Sequence, residues 1–180
     1  MRALLITLLT LAYPALVYAG LGRFEPRWLA LLLAALAFLR AYATRERVWL
    51  VAAVGALLLA AASMLGNAAW PLKLYPVLVN GVLLAVFSAS LVYPPSVIER
   101  LARLHEPTLP PEGVAYTRRV TQVWCGFFVL NGSVALVTAL WASDATWALY
   151  NGLISYCLMG CLFAGEWLVR RKVKGGHGHG

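Results

Sequence analysis

Apolar residues dominate this chain in long runs, and six of the runs approach the roughly 20 residues that a membrane-spanning helix requires. They lie at 3–22, 28–43, 48–70, 74–93, 120–141 and 146–169. Between the fourth and fifth stands the one long charged interval, PPSVIERLARLHEPTLPPEGVAYTRRVTQVW at 94–124. The pattern predicts an all-α integral membrane protein, a bundle of six transmembrane helices with one short amphipathic cytoplasmic helix. Residues 1–174 form a single polytopic domain in this reading, with a cytoplasmic loop at 94–119 and a flexible tail at 175–180.

The charged interval reads residue by residue. Pro94 and Pro95 end the preceding span, because proline biases its predecessor away from helix. Ser96 and Glu99 have the spacing of a capping box, in which each side chain satisfies an orphan N–H of the first turn. Val97, Ile98, Leu101 and Leu104 then recur at helical spacing, with Glu99, Arg100 and Arg103 on the other face. Two placements suit such a helix: at the lipid headgroups, or packed on the chain's own loops. His105-Glu106-Pro107 and Leu109-Pro110-Pro111 predict a stiff extended connector, and Arg118 and Arg119 stand at the next membrane entrance.

Composition agrees with the pattern. With 62% hydrophobic and 12% charged residues, the chain falls well below the charged fraction of about 25% found in soluble domains. The net charge of +8 is one-sided. Six spans put Arg2, Arg40, Arg45, Arg47, Arg100, Arg103, Arg118, Arg119, Arg170, Arg171, Lys172 and Lys174 on one face, and only Arg23, Arg27 and Lys73 on the other. The positive-inside rule then makes both termini and the long loop cytoplasmic. Topology accounts for the charge, and no aromatic-basic platform accompanies it, which excludes nucleic acid as the partner.

Two features qualify the span count. Arg2, the following apolar run and the small residues around Val17-Tyr18-Ala19 also resemble a secretory signal, whose cleavage would leave five spans; the expectation is that the first span is retained. Arg40 lies near the cytoplasmic end of the second span, where a long side chain snorkels to the interface. Trp28, Trp49, Trp70, Trp124, Trp141, Trp147 and Trp167 fall near predicted span ends, as an aromatic belt would place them, and Asn67 and Trp70-Pro71 close the third span.

The last three spans carry the candidate chemistry. Each holds an Asn-Gly pair, at Asn80-Gly81, Asn131-Gly132 and Asn151-Gly152. Within apolar runs such pairs mark close helix approach, with an amide free to bond across. The expectation is a polar pocket of Asn80, Asn131, Asn151, Ser155 and Glu166, with the three amides approaching one another in the outer half of the bundle. Interhelical glue is the plainer role for the same amides. In the sixth span Cys157, Cys161 and Gly165, with Gly160 and Ala164 beside them, form a small-residue ridge for tight helix packing, while Ser155, Leu162 and Glu166 lie along another face. Glu166 stands four residues before Arg170, the favourable order for a helical ion pair, set against the functional role that intramembrane carboxylates usually have.

No catalytic constellation is complete. Cys157 and Cys161 share a helical face, but zinc normally takes three or four protein ligands, and Cys125 is distant in sequence. The three cysteines imply no disulfide framework, and the tail histidines His177 and His179 sit on a glycine chain. His105-Glu106 invites an acid/base reading only if Tyr116 and the loop arginines converge on it. No Ser or Cys elbow, phosphate loop or pair of carboxylates at one depth is present. The sequence therefore assigns no catalytic residue, metal or cofactor. Arg100, Arg103, His105, Arg118 and Arg119 are the candidates for binding at the cytoplasmic surface.

LYPVLVNG, SVIERLARLHEP, YTRRVTQVWCGFF, YNGLISYCLMG and FAGEWLVRR, between positions 74 and 171, resemble a family of small bacterial inner-membrane proteins. Its members are encoded among genes for aryl polyene or xanthomonadin-like pigment lipids, beside acyltransferases and acyl-activating enzymes. The first three spans match only in hydrophobicity. The resemblance implies a pathway and a bacterial inner-membrane location, and carries over no catalytic residue. The leading expectation is a non-enzymatic membrane component that binds a lipid-like amphiphile or recruits soluble acyl-transfer or acyl-activating enzymes to the cytoplasmic face. A transporter or flippase is the alternative, its six short spans dimerising through the Cys157, Cys161, Gly165 ridge. A membrane acyl or glycosyl transferase resting on His105 and Glu106 is the third.

Overall fold

The computed structural model describes residues 12–20, 23–44, 47–66, 68 and 70–176. Those residues are helical throughout, joined by short turns and one longer connector. In chain order the elements are α1 (Tyr13–Gly20), α2 (Pro26–Thr44), α3 (Arg47–Gly66), α4 (Trp70–Lys73), α5 (Tyr75–Val92), α6 (Val97–Arg103), α7 (Pro111–Trp141) and α8 (Asp144–Leu149). A π-helical turn at Tyr150–Ile154 then runs into α9 (Ser155–Gly176).

Among the described residues three segments are long and apolar enough to cross a membrane: Trp70–Val92, Pro111–Trp141 and Asp144–Val169. The six spans expected from hydropathy are not all of that kind. The described apolar stretches of α2 and α3, Trp28–Leu39 and Leu50–Gly66, are shorter, and they lie inside helices of 19 and 20 residues whose flanking side chains are outside the described set. Most of the expected first span lies outside the described residues, as do the 177–180 part of the tail and the side chains of Arg40, Trp49 and Arg170. Two boundaries move. Trp70-Pro71 opens the helical segment that leads into α5 instead of closing α3. Helix α7 begins inside the expected loop 94–119, because Pro111 occupies its first turn, where its missing N–H costs nothing and Glu112 faces the helix dipole. At 31 residues α7 is about 46 Å long, so roughly ten residues, Arg118 and Arg119 among them, extend beyond a hydrocarbon core.

The helices assemble in two groups. α2 and α3 pair along their lengths through Leu29, Leu33, Leu36, Ala53, Ala56 and Ala60, all buried. Their core continues into Tyr13, Val17, Leu72, Tyr75, Ala139 and Trp147 at one end of the molecule. There the Tyr13 hydroxyl donates to the Leu72 carbonyl (3.1 Å) and the Trp147 indole N–H to the Lys73 carbonyl (3.1 Å), which satisfies two acceptors around the short α4. Lys73 and Asp144 form an ion pair beside them. Trp147 is thus a fully buried anchor, whereas Trp28, Trp70, Trp141 and Trp167 are exposed as belt residues are.

The second group is the antiparallel pair of α5 and α7. Asn131 meets Asn80, the Ser88 hydroxyl reaches Cys125 Sγ at 3.6 Å, and Arg118 reaches the Leu91 carbonyl at 2.9 Å, one end of the pair to the other. Gly132 permits the approach, since a Cβ there would stand 3.1 Å from Asn80 Cβ. α9 is the least packed element. Ser155 is buried and Met159, Leu162 and Glu166 are half-buried, so the face carrying Ser155, Leu162 and Glu166 turns inward. The small-residue ridge turns outward: Cys157, Gly160, Cys161, Ala164 and Gly165 are exposed, and an added Cβ at Gly160 or Gly165 would meet nothing within 4 Å. The small-residue ridge thus lies on an exposed face of α9 among the described residues.

Candidate functional site

The expected polar pocket divides into three places. Asn131 Nδ2 donates to Asn80 Oδ1 (3.1 Å), and the Tyr150 hydroxyl donates to Asn131 Oδ1 (2.9 Å). Asn151 is buried nearby but bonds elsewhere, its amide donating to Thr138 Oγ1 (3.2 Å) and to the Trp147 carbonyl (2.9 Å). Asn80 also donates to the Pro76 carbonyl (2.8 Å). Ser155 lies one turn beyond Asn151, just past the π-helical turn. These amides are engaged with one another and with their own helices, the arrangement of interhelical glue. Glu166 is not with them. Phe87, Trp124, Phe127, Phe128 and Phe163 form a contiguous aromatic layer on that side of Asn131, with ring centroids 4.6–6.4 Å apart. Trp124, expected in the aromatic belt, is buried at the centre of this layer.

Beyond the layer opens a cavity of about 570 Å³, within the range of small-molecule sites. It is lined by the apolar Val120, Trp124 and Phe163, by Ile98 and Ala102 of α6, and by the polar His105, Glu106, Glu112, Tyr116 and Glu166. Local sequence builds each side. The Ser96 hydroxyl caps α6 by accepting from the Glu99 N–H (3.3 Å), and Ser90 accepts from the Val97 N–H (3.1 Å). This is one half of the expected capping box. The Glu99 carboxylate turns away to Arg103, whose Nε (2.9 Å) and Nη2 (2.8 Å) both donate to one of its oxygens. Glu99 is buried in that pairing while Leu101 and Leu104 are exposed, the facing that the headgroup placement of the helix allows and the loop-packed placement does not. Leu101 lines the cavity mouth. The connector from Leu104 to Pro110 supplies His105, Glu106, Leu109 and Pro110, and the first turns of α7 supply Glu112, Tyr116 and Thr117.

α7 and α9 are bridged here by side chains. The Trp124 and Phe163 rings stand 4.6 Å apart, and the Tyr116 hydroxyl donates toward Glu166, 3.4 Å from Oε1 and 3.3 Å from its carbonyl. The convergence required of His105, Glu106, Tyr116 and the loop arginines is met only in part: the first three line the cavity together with Glu112 and Glu166, and the arginines do not. Arg100 donates to the Pro95 carbonyl (3.0 Å), Arg103 to Glu99 and to the Pro107 carbonyl (3.1 Å), and Arg118 to Leu91; Arg119 is exposed. Val120, Glu112 and Phe163 escaped the sequence reading. Their available signals were the Trp124, Phe127, Phe128 spacing, which puts three rings on one helical flank, and the Pro-Pro-Glu helix start at 110–112.

A second groove, about 520 Å³, lies against α5 between Val51, Leu78, Val82 and Val86 and is lined by apolar groups alone. It offers a chain a surface but offers a headgroup no partner. No family model, curated protein or solved structure matches the chain.

Proposed function

We propose that this chain is a multi-pass protein of the bacterial inner membrane, with both termini cytoplasmic, that binds one lipid-like amphiphile in the cavity between α6, α7 and α9. The observation that carries the reading is the cavity's mixed lining, aromatic and aliphatic side chains together with ionisable and hydroxyl groups. Such a lining suits a molecule with an apolar chain and a polar head, at the end of α7 that extends past a hydrocarbon core. The basic residues around it, Arg100, Arg118 and Arg119, suit an anionic leaflet, at about 1 kcal/mol each. Recruitment of soluble acyl-transfer or acyl-activating enzymes to the same face is the role that the resemblance of 74–171 adds.

The test is saturable labelling of the purified protein by a photoactivatable C16 amphiphile, compared with Val120→Trp, which fills part of the cavity. Loss of saturable labelling in the variant supports the reading, and unchanged labelling refutes it.

A membrane acyl or glycosyl transferase is a second reading, favoured by His105, Glu106 and Tyr116 lining one cavity. It predicts that His105→Ala abolishes lipid product while leaving amphiphile labelling intact. The transporter reading receives less support, because the aromatic layer lies between Glu166 and the three asparagines.

A further inference from the structure

Two of the described tryptophans are buried, and their indole N–H groups are treated differently. Trp147 donates to the Lys73 carbonyl at 3.1 Å. Trp124 is only 4% exposed and is packed among Phe87, Phe127, Phe128 and Phe163, yet among the described residues no hydrogen bond engages its N–H. An indole is a donor only. A buried one usually finds a partner, because a buried donor left unmade is costly.

Trp124 lines the cavity, and so do Gly113, Tyr116, Thr117 and Val120, which run with it down one flank of α7 at helical spacing. The two hydroxyls on that flank are already used as donors, Tyr116 toward Glu166 and Thr117 to the Val114 carbonyl at 2.9 Å. In the membrane placement proposed above, about 20 residues of α7 counted back from Trp141 span the hydrocarbon. At about 1.5 Å per residue Trp124 then lies about 4 Å inside the hydrocarbon edge and Tyr116 about 7 Å outside it.

We infer that the amphiphile bound here is acylated, and that its ester or amide carbonyl, where head meets chain, accepts a hydrogen bond from Trp124 Nε1. The inference rests on the amphiphile reading above and adds the linkage class to it. A carbonyl carries lone pairs and no proton, which is what a donor-only indole needs. A simple long-chain alcohol with its hydroxyl near Tyr116 would lay methylenes against Trp124, about 12 Å further along α7, and leave the N–H unmet. An acyl lipid puts a polar head outside the hydrocarbon edge and an acceptor just within it.

The experiment uses the full chain in nonionic detergent and two photoactivatable probes with the same glycerol head and C16 chain, one joined through an ester and the other through an ether. The ester should label saturably with an apparent affinity at least about fivefold tighter than the ether, or about 1 kcal/mol. Trp124→Phe keeps an aromatic ring and removes the donor, and its elution as a single species checks folding. It should bring the two probes to within about twofold of each other. Equal affinities in the wild-type chain overturn the linkage assignment alone. So does an ester preference that survives in Trp124→Phe while both probes weaken, which is what a packing role predicts. Where the variant does not fold, nitrogen-15 labelling of the wild-type tryptophans replaces it: the ester should shift one indole resonance that the ether leaves in place, and identical spectra overturn the assignment. If neither probe labels saturably, the amphiphile reading itself fails and takes this inference with it.

Discussion

The Tyr116 hydroxyl on α7 meets Glu166 on α9, fifty residues away in sequence, within 3.4 Å of a carboxylate oxygen. With the Trp124–Phe163 contact it joins two helices that otherwise share little surface toward this end. The joint forms one wall of the cavity. Tyr116→Phe keeps the ring and removes the donor, so it should lower stability by about 1 kcal/mol or less and speed release of a bound amphiphile. Competition by unlabelled amphiphile in a time course checks the second effect; unchanged release would show that the contact does not govern the cavity.

The amide pair on α5 and α7 makes a separate prediction. Asn131→Leu deprives both Asn80 and Tyr150 of a partner and should cost about 1–2 kcal/mol in detergent unfolding, while a cycle with Asn80→Leu should give a coupling near 0.6 kcal/mol and no more than about 1.7. Amphiphile labelling should be unaffected, because the aromatic layer lies between this pair and the cavity. Equal loss of stability and labelling would contradict that separation.

How far the fold was legible depends on the range of the interaction concerned. Hydropathy identified the apolar helices because each is a local run, and Ser96 was readable as a cap because its partner is three residues away. Glu166 was readable only locally. The i,i+4 pair expected with Arg170 falls outside the described side chains, and Tyr116, its partner on another helix, could not be read from the sequence. Trp124 was misread for the same reason: a tryptophan near a hydropathy edge looks like a belt residue until the helix proves to begin nine residues earlier. The two faces of α6 were readable from its spacing, but whether the Leu101 and Leu104 face would meet lipid or the protein was not, because seven residues of pattern do not say what they pack against. The cavity draws residues from three helices and a connector, so no single stretch announces it.

Trp147 and Asp144 separate a buried anchor from an exposed one. Trp147→Ala removes a fully buried ring and its bond to Lys73 and should cost about 3 kcal/mol or more. Asp144→Asn weakens an ion pair whose acidic partner is 47% exposed and should cost under about 1 kcal/mol. Thermal unfolding of the two variants in the same detergent checks the ranking, and a larger loss for Asp144→Asn would reverse it.

Membrane orientation is checked with cysteines at two exposed positions, Leu104 in the connector and Ala145 in α8. In a background lacking Cys125, Cys157 and Cys161, a membrane-impermeant thiol reagent applied to intact cells should label Ala145→Cys and spare Leu104→Cys until the membrane is opened. The opposite order would invert the proposed topology.

The most direct test of amphiphile binding at the cavity is mass-spectrometric mapping of where a bound photoactivatable C16 probe attaches. Cavity binding predicts adducts concentrated on Ile98, Leu101, Val120, Trp124 and Phe163, displaced by excess unlabelled amphiphile and lost in Val120→Trp. Adducts that resist competition and spread over exposed positions such as Leu58, Leu65 and Leu130, or gather in the apolar groove around Val51 and Val82, would contradict it.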